Sequence, residues 1–477
     1  MNFDFDQIDA IINARSIAIV GASGKPGKFG HALVAAQLAM GFEGALYLIN
    51  PGETEILGRR TYPSLESLPE VPDLVYLTIP APLSLDVLRA CGHLGVRGVV
   101  IIAAGFREAG PEGEALEREA LELARRGGFR IIGPNCFGIY NPRNRLTLLP
   151  GYDLSRTPGD TAFLSQSGGF SLHLARMGKS LGIPFRAVVS YGNGTDLDEC
   201  DLLRYFGRDP GTRYVAAYLE GTRKGRQFLD ALREACTQKP VLVWKVGKGE
   251  ASRRAVSSHT GSLAGSAEVW RSALAQAGAI SVSGIDEILD VLLALRHLGR
   301  NWGQRILIAG GGGGLGTYGA DLAEVEGLSV PPLEAGASAR LGEILVRAGA
   351  VVGNPLDLGT PMIPLPLFAA AMREAAANPS TDLLVFDLAV NFARDLVGDS
   401  GILEAADALA RARKETGKPV AAVLYSRACD PEDMNVEDLL RRVRARLLEQ
   451  GVAVFPSMAR AVRALSLARG PTCHRRN

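Results

Sequence analysis

Short apolar runs alternate with longer amphipathic segments along almost the whole chain. The apolar runs are rich in Val, Ile and Leu and are closely followed by Gly, Pro or Asn, which is typical of strands buried on both faces of a parallel sheet. Segments with helical spacing, such as 30–40 and 112–126, lie between them. In the first part of the chain we predict strands at 16–20, 45–49, 74–79, 99–102 and 130–132. This alternation predicts an α/β fold with helices on both faces of a doubly wound parallel sheet.

The same pattern restarts twice downstream. Strands are predicted at 161–164, 187–189, 214–219 and 241–245, and then at 305–309, 383–388, 420–424 and 452–455. Pro, Gly, Asn and Arg accumulate near 141–159 and 297–304, where a change of domain is favoured. We therefore predict three doubly wound domains, over residues 1–145, 146–298 and 299–477.

Bulk properties narrow the classes of function. The chain has 477 residues, 47% hydrophobic and 22% charged, with a net charge of +1, which is ordinary globular composition. The sequence contains no concentrated Lys/Arg patch of the kind that binds nucleic acid. No apolar run is long enough to cross a bilayer. The acidic first residues do not resemble a signal peptide. Six cysteines are scattered without CxxC pairing. That spacing disfavours disulfides and a metal site and indicates a reducing cytoplasm.

A glycine-rich segment, GASGKPGKFG at residues 21–30, directly follows the first predicted strand. Glycines let the backbone approach a phosphate, and the next helix offers free N–H groups and the positive end of its dipole. Lys25 and Lys28 add positive charge. The spacing is not GxGxxG, and Asn50-Pro51 ends the second strand where a dinucleotide-binding fold often carries an acid, so a nicotinamide cofactor is disfavoured. The alternative is a tight turn without a ligand.

The segment SQSGG, residues 165–169, also lies between a predicted strand and a predicted helix. Two hydroxyls, an amide and two glycines converge on one helix N-terminus, which suits a bound anion. The alternative is an ordinary helix cap, since Ser167 is a good N-cap residue.

In a third segment, YGNGTDLDECDLL at residues 191–203, two glycines allow a tight turn, and Thr195 or Asp196 can cap the helix that follows. Two helix N-termini that point at one place stabilise an anion more than either alone. The acidic residues that follow are interpreted as a solvated first turn favoured by the helix dipole, and they are Asp198, Glu199 and Asp201.

The segment SSHTGSLAGS, residues 257–266, places His259 among small, hydroxylated and glycine residues. Such a loop brings its own backbone close to a phosphate, whereas a core histidine would have apolar neighbours. Imidazole accepts a phosphoryl group when one ring nitrogen attacks and an acceptor holds the other. Glu220, in the strand-end sequence YLEG, is a candidate for that acceptor. The alternative for Glu220 is a surface carboxylate that closes a strand.

Two remaining turns carry weaker signals. Asn135, in GPNCFGIYNP at the end of a predicted strand, can hydrogen-bond a ligand at the carboxyl edge of the sheet. Cys136 has no paired histidine nearby and is interpreted as a small packed residue. The segment GGGGGLG, residues 310–316, lacks the GK[ST] ending of a nucleotide phosphate loop, so we interpret it as a strand-to-helix turn of unknown occupancy.

Taken in order, these segments resemble one family, the ADP-forming (NDP-forming) acyl-CoA synthetases of the succinyl-CoA synthetase superfamily. The matching strings are GASGKPGKFG, YPSLESLP, AGFREAG, GPNCFGIYNP, SQSGG, DECDLLRY, YLEG, SSHTGSLAGS and, more loosely, NPLDLG. No single string is specific, but the ordered set covers most of the chain. The resemblance implies a Rossmann-like CoA-binding domain over 1–145 and a succinyl-CoA-ligase-like domain with a phosphohistidine loop over 146–298. It implies a second flavodoxin-like ligase domain over 299–477.

The resemblance also implies a reaction, acyl-CoA + ADP + phosphate ⇌ carboxylate + CoA + ATP, through an acyl phosphate and a phosphohistidine. His259 is implied to carry the phosphoryl group, Glu220 to steady it, and SQSGG and the start of the helix at Asp196 to form opposed phosphate-binding helix ends. The implied phosphate-binding residues are Ser165, Gln166, Ser167, Gly168 and Gly169. The implied CoA-binding residues are Gly21, Ser23, Gly24, Lys25, Pro26, Gly27, Asn50, Pro80, Ala103, Ala104 and Asn135.

A partner is implied as well. Nucleotide in this family binds an ATP-grasp domain, and the three predicted domains leave no room for one. A separate ATP-grasp β subunit that holds Mg-ADP or Mg-ATP is therefore implied, in a cytoplasmic hetero-oligomer that acts on a small carboxylate or its acyl-CoA. The chain departs from the family at Gly52 and Glu53, where a lysine often lies near the CoA phosphates, and at Gly194, where a lysine is common.

Two other functions remain open at the level of sequence. One is a non-catalytic CoA or acyl-CoA sensor or scaffold with the same fold, although such relatives tend to lose the loop histidine and add a domain. The other is a dehydrogenase, which the missing GxGxxG and ribose acid disfavour. Formation of a phosphohistidine separates the synthetase from both.

Overall fold

The computed structural model describes residues 3–254, 266–346, 349–426 and 431–469. The chain separates into two compact units, Met1–Ile285 and Asp286–Asn477. The described residues form three β-sheets, two in the first unit and one in the second. In these ranges, no helix combines the length and the apolar character that a membrane crossing requires.

The first sheet is mostly parallel and lies between two layers of helices. Its strands are β1 (Ser16–Val20), β2 (Ala45–Ile49), β3 (Glu55–Ile56), β4 (Arg59–Tyr62), β5 (Leu74–Leu77), β6 (Gly98–Ile101) and β7 (Arg130–Ile132). Its helices are α1 (Phe5–Ile12), α2 (Phe29–Met40), α3 (Ala81–Leu94) and α4 (Pro111–Gly127). The strand order is β3-β4-β2-β1-β5-β6-β7, and only β3 and β4 pair antiparallel. The order reverses beside β1, and ligands bind outside such a switch point.

The second sheet follows the same plan. Its strands are β8 (Gly138–Tyr140), β9 (Thr161–Ser165), β10 (Phe185–Ser190), β11 (Tyr214–Leu219), β12 (Val241–Lys245) and β13 (Ile280–Val282). Its helices are α5 (Gly168–Ser180), α6 (Glu199–Arg208), α7 (Gly225–Gln238) and α8 (Ala267–Ala277). The order is β13-β12-β11-β9-β10-β8, and only β8 is antiparallel to its neighbour. The central strands β9 and β11 therefore end side by side at the carboxyl edge.

One hydrophobic core joins the two sheets of the first unit. It includes Ile8 and Ile11 of α1 and Leu202 of α6, all fully buried. The hydroxyl of Tyr205 on α6 donates to the carboxylate of Asp9 on α1 at 2.8 Å. The N-terminal helix therefore packs against the second sheet's helix layer as well as its own sheet.

The second unit contains the third sheet, which is parallel throughout. Its strands are β14 (Ile306–Gly310), β15 (Leu356–Asp357), β16 (Leu383–Asp387), β17 (Val420–Val423) and β18 (Ala453–Phe455), in the order β15-β14-β16-β17-β18. Its helices are α10 (Gly313–Val325), α11 (Ala335–Ile344), α12 (Leu365–Ala377), α13 (Val390–Thr416), α14 (Met434–Glu449) and α15 (Met458–Arg469). Helix α9 (Ile285–Leu298) begins at the division between the units. Helix α13 is kinked at Gly398, which has a φ of 66°.

The predicted α/β class with three mostly parallel sheets is confirmed, and each predicted strand coincides with an observed one to within a residue or two. The sequence did not show the short strands β3, β4, β8, β13 and β15, which lack a long apolar run. β3 is antiparallel to β4 and β8 is antiparallel to β10, so each of the first two sheets departs from parallel pairing only at one edge strand. The three domain boundaries stay predictions.

Candidate functional site

A cavity of about 880 Å³ lies beside the glycine-rich turn between β1 and α2. The turn requires glycine at two points. Gly21 has a φ of 88°, and a Cβ on Gly30 would lie 1.9 Å from the carbonyl oxygen of Gly21. The predicted CoA-binding residues that line the cavity are Gly21, Ser23, Gly27, Asn50, Pro80, Ala103 and Ala104. They follow β1, β2, β5 and β6, so the cavity opens at the carboxyl edge of the sheet, where such folds bind ligands.

The other predicted CoA-binding residues are absent from the described lining, and they are Gly24, Lys25, Pro26 and Asn135. Lys25 and Pro26 are exposed. Asn135 has a left-handed φ of 57° and donates its backbone N–H to the carbonyl oxygen of Ala103 at 3.0 Å. Asn135 thus braces one wall of the cavity. The assignment of all these residues to CoA stays a prediction.

Glu53, noted in the sequence only as a departure from the family, bonds back to the glycine-rich turn. Both oxygens of its carboxylate lie 3.1 Å from the backbone nitrogen of Gly24. The side-chain amide of Asn50 donates to the same carboxylate at 3.1 Å and to the carbonyl oxygen of Ala22 at 2.8 Å. A carboxylate and an amide therefore tie the end of β2 to the turn after β1.

The SQSGG turn joins β9 to α5, and its residues have different partners. Ser167 is the N-cap of α5, because its Oγ accepts the N–H of Phe170 at 3.3 Å, as the capping alternative predicted. The Oγ of Ser165 accepts the N–H of Ser167 at 3.1 Å and donates to the Ser167 carbonyl at 2.8 Å. Ser165 is fully buried, whereas Gly169 is exposed. Serine hydroxyls thus shape the turn, and its glycines present the helix N-terminus.

Glu220 directly follows β11 and is only 5% exposed, so the alternative of a surface carboxylate was wrong. The side-chain carbonyl of Gln166 accepts the backbone N–H groups of Glu220 and Gly221, the second at 3.1 Å. The ammonium of Lys245 donates to the backbone carbonyl of Glu220 at 2.8 Å. The Tyr218 hydroxyl lies 3.4 Å from Oε1 of Glu220. The structure therefore brings SQSGG and Glu220, predicted separately, into direct contact.

Lys245, the last residue of β12, is a residue that the sequence analysis missed. It is 3% exposed, donates also to the carbonyl of Val246, and has its Nζ 4.9 Å from the centre of the Trp270 ring. Burial lowers the pKa of Lys245 to about 8, against the opposing influence of the Glu220 carboxylate. A lysine that closes the otherwise apolar strand VLVWK was the available signal.

The start of α6 differs from the sequence interpretation. Its N-cap is Asp198 rather than Thr195 or Asp196. The Asp198 carboxylate accepts the N–H of Cys200 at 2.9 Å and lies 2.7 Å from Nζ of Lys224. The Asp198 carboxylate takes up the N–H groups of Cys200 and Asp201, and the implied phosphate-binding role of this helix end stays a prediction.

The acidic residues near this helix are buried, so their interpretation as a solvated first turn was wrong. Burial, followed by the neighbouring Asp198, raises the pKa of Glu199 to about 7. Arg130 on β7 compensates two other acids, with nitrogen–oxygen distances of 2.8 Å to Asp196 and 3.4 Å to Asp201. The arginine links the last strand of the first sheet to α6.

Cys136 is a packed residue, as predicted. It is 3% exposed, its Sγ lies 3.3 Å from the carbonyl oxygen of Ile101, and burial raises its pKa to about 12. The thiol therefore stays protonated at neutral pH, which is unsuitable for a nucleophile. His259 lies outside the residues that the structure describes.

In the second unit, residues 310–316 run from the end of β14 into α10, which confirms the predicted strand-to-helix turn. Gly311 and Gly312 line a cavity of about 500 Å³ together with Asp387 at the end of β16. Burial raises the pKa of Asp387 to about 6. The occupancy of this turn stays open.

Two family models match the chain between residues 15 and 295. A CoA binding domain matches residues 15–142, and a succinyl-CoA ligase like flavodoxin domain matches residues 158–295. The first range contains the glycine-rich turn and its cavity. The second contains the SQSGG turn, Glu220 and Lys245.

Relatives extend the match to the rest of the chain. Acetate–CoA ligase [ADP-forming] I subunit alpha of Pyrococcus furiosus is 36% identical and covers 96% of both chains. Acetate–CoA ligase [ADP-forming] I of Archaeoglobus fulgidus is 37% identical over 74% of this chain and 50% of its own length. The solved structure of Ca. Korarchaeum cryptofilum dinucleotide forming acetyl-coenzyme A synthetase 1, in complex with phosphate and ADP, has 31% identity and a TM-score of 0.83, covering 97% of this chain and 96% of that chain. These relatives are ligases, which supports the synthetase over the scaffold and the dehydrogenase. The chain belongs to the ADP-forming acyl-CoA synthetase family, as a subunit of the alpha, CoA-binding type.

Proposed function

We propose that this chain works with a separate nucleotide-binding subunit to interconvert acyl-CoA, ADP and phosphate with carboxylate, CoA and ATP. Phosphate attacks the acyl carbon, the CoA thiolate leaves, and an acyl phosphate forms. His259 then attacks the phosphorus, the carboxylate leaves, and the phosphohistidine passes its phosphoryl group to ADP. The observation that carries the proposal is the buried carboxylate of Glu220, held next to the SQSGG turn.

Glu220 is suited to orient an imidazole. A carboxylate that accepts the N–H of one ring nitrogen leaves the lone pair of the other free to attack phosphorus, and it stabilises the imidazolium character that develops. At 5% exposure this hydrogen bond would be shielded from water, where it is stronger than at a surface. Glu220 is thus proposed as the partner of His259.

The N-terminus of α5 is proposed to hold the transferred group. Gly168 and Gly169 begin this helix, and a side chain at Gly168 would place its Cβ 2.6 Å from the Phe137 ring. Glycine therefore keeps this helix end free of side chains, while its N–H groups and dipole favour phosphate. Ser165 and Gln166 serve the turn itself, through the hydrogen bonds described above.

CoA is proposed to occupy the cavity beside the 21–30 turn. Its volume of about 880 Å³ is within the range of sites for large cofactors. Lys28 lines this cavity and Lys25 is an exposed residue of the same turn, so both add positive charge for the CoA phosphates. The CoA-binding residues are then those of the lining, with Asn135 as a brace.

Mg-ADP or Mg-ATP is proposed to bind an ATP-grasp β subunit in a hetero-oligomer. The Pyrococcus relative is named as an alpha subunit, and this chain matches only 50% of the Archaeoglobus relative, which leaves room there for further domains. A reducing cytoplasm is the proposed location, because Cys91, Cys136 and Cys200 are buried free thiols. The proposed substrate is a small carboxylate.

The test is phosphorylation of His259. The chain, purified with the ATP-grasp subunit that accompanies it, is mixed with radiolabelled ATP and Mg²⁺. We expect an acid-labile, base-stable label that is absent from His259→Ala and retained by His173→Ala, a matched change at an exposed histidine of α5. A His259→Ala chain that still takes up label and turns over would overturn the proposal. A scaffold would take up no label even as the wild type.

A further inference from the structure

The peptide groups on both sides of Glu220 are bound by side chains from the two neighbouring strands. The backbone pairing of β11 with β9 runs to Tyr218, and its pairing with β12 runs to Leu219. Glu220 therefore lies just beyond the end of both ladders. Gln166, from the β9 side, accepts its N–H, and Lys245, from the β12 side, donates to its carbonyl.

We infer that Gln166 and Lys245 are positioning residues that hold the peptide of Glu220 and so aim its carboxylate for phosphoryl transfer. This inference rests on the proposed function of Glu220 as the partner of the phosphoryl-accepting imidazole. It also reassigns Gln166, which the sequence implied as a phosphate ligand. The glutamine acts on the phosphoryl group through Glu220.

The case for Gln166 rests on the partners of its amide oxygen. Two consecutive backbone N–H groups, of Glu220 and Gly221, share this one buried acceptor. A buried N–H without a partner is unfavourable, so a strand that ends in the interior needs such an acceptor. Serine or glycine would be sufficient for a simple turn before α5. A glutamine at this place is long enough to reach across to the next strand.

The case for Lys245 rests on the cost of its position. Taking an ammonium out of water is unfavourable unless it is well paired, and replacing it with an apolar residue of similar size is often tolerated. Here the ammonium bonds the carbonyls of Glu220 and Val246 and lies over the Trp270 ring. Stability alone would not favour a buried ammonium over an apolar residue at this place. One of these contacts is to the backbone carbonyl of Glu220, the residue that the proposed reaction uses.

The experiment is a set of double-mutant cycles with the chain and its ATP-grasp subunit. Lys245→Met, Lys245→Arg and Gln166→Met are each made in the wild type and in Glu220→Gln. Single-turnover phosphohistidine formation and the Kd for CoA are measured. Lys239→Met is the matched control, since Lys239 also donates to two backbone carbonyls, those of Phe206 and Asp209, before the start of β12.

We expect Lys245→Met and Gln166→Met to slow phosphorylation by about 10–100-fold in the wild type and by less than about two-fold in Glu220→Gln, because residues that act through one group are not additive. Lys245→Arg should recover most of the rate, and Lys239→Met should leave it unchanged. The Kd for CoA reports the fold and should stay within about two-fold of the wild type. If Gln166→Met loses CoA binding, that variant no longer reports on positioning, and the cycle of Lys245→Met with Glu220→Gln alone tests the inference.

The outcomes separate the two proposals. If Glu220→Gln has the wild-type rate, the proposed function of Glu220 is wrong. If Glu220→Gln is slow but Lys245→Met has the wild-type rate, the positioning inference is wrong. It is equally wrong if Lys245→Met slows the reaction as much in Glu220→Gln as in the wild type, because the lysine then acts independently of the carboxylate.

Discussion

At the scale of single residues, buried charged side chains interact more strongly than the many charge pairs at the surface. Glu220 and Lys245 are 5% and 3% exposed and lie at adjacent strand ends. In that setting a carboxylate and an ammonium act on each other strongly, because little water screens them. Surface pairs such as Arg126 with Glu122 contribute about 0–1 kcal/mol. Glu220 also contacts the SQSGG turn, so among the buried charges Glu220 and Lys245 are the pair that the proposed chemistry uses.

The depressed pKa of Lys245 predicts a pH dependence of phosphoryl transfer. Burial lowers this pKa to about 8; Glu220 opposes the shift and Lys248 adds to it. The ammonium is present below pH 8 and is lost above it, so the single-turnover rate should fall as pH rises through about 8.

A matched variant assigns that inflection. Lys245→Arg keeps its charge, because a guanidinium titrates only above about pH 12, and its rate should stay level through pH 8 to 10. The measurement is a rapid-quench pH profile of both proteins. An identical inflection near pH 8 in Lys245→Arg would assign it to another group.

At the scale of elements, the turn between β1 and α2 is held from outside by the end of β2. Glu53 and Asn50 connect to Gly24 and to Ala22 through the contacts described above. In place of the lysine often found here in the family, this chain has a carboxylate that stabilises the turn. We interpret Glu53 as a support of the loop beside the cavity.

Two variants of Glu53 test that interpretation. Glu53→Ala removes the acceptor for Gly24 and should raise the Kd for CoA by about 3–10-fold, the equivalent of one lost hydrogen bond. Glu53→Gln keeps an acceptor and should bind CoA within about two-fold of the wild type. Isothermal titration measures both. Tighter CoA binding by Glu53→Ala would mean that the carboxylate repels the ligand.

At the scale of the whole molecule, the two sheets of the first unit are joined by apolar core and by a buried ionic network. Arg130 on β7 is 1% exposed and pairs with Asp196 and Asp201 near α6. Asp196 also accepts the backbone N–H of Ile131 at 2.9 Å. The network fixes the start of α6 to the sheet that contains the CoA cavity.

Breaking this network should destabilise the first unit. Arg130→Leu leaves Asp196 without its cation in the interior, and such a loss costs about 3–5 kcal/mol. The matched change Arg126→Leu removes only an exposed pair and should cost less than about 1 kcal/mol. Denaturant unfolding followed by circular dichroism measures both. Equal stability of the two variants would show that the network carries little weight.

The assignment of nucleotide to a partner predicts the behaviour of the isolated chain. Alone, it should bind CoA but show no measurable binding of Mg-ADP, because residues 310–316 lack the GK[ST] ending of a phosphate loop. Separate titrations with the two ligands decide this. Tight binding of Mg-ADP would mean that the third sheet has been misassigned, and Gly311 and Gly312 would be the first positions to examine.

The sequence by itself determined the class of fold, the family and the order of the motifs. Parallel strands buried on both faces appear as continuous apolar runs, so β1, β5 and β6 were readable from composition. Glycine at positions 21 and 30 was readable as well, because only glycine tolerates that turn. Ser167 as a helix cap and Cys136 as a packed residue followed from local chemistry alone.

Only the tertiary structure decided which side chains meet. Three strand ends supply these residues, Gln166, Glu220 and Lys245. Parallel pairing of the strands brings them together, and a local sequence pattern does not show contacts between residues so far apart in the chain. Burial of Asp198 and Asp201 was equally unreadable, since an acidic first turn has the same sequence whether water surrounds it or Lys224 and Arg130 pair with it. Sequence pattern reports local conformation and the burial of apolar segments, whereas the partner of a buried charge depends on the packing of the whole unit.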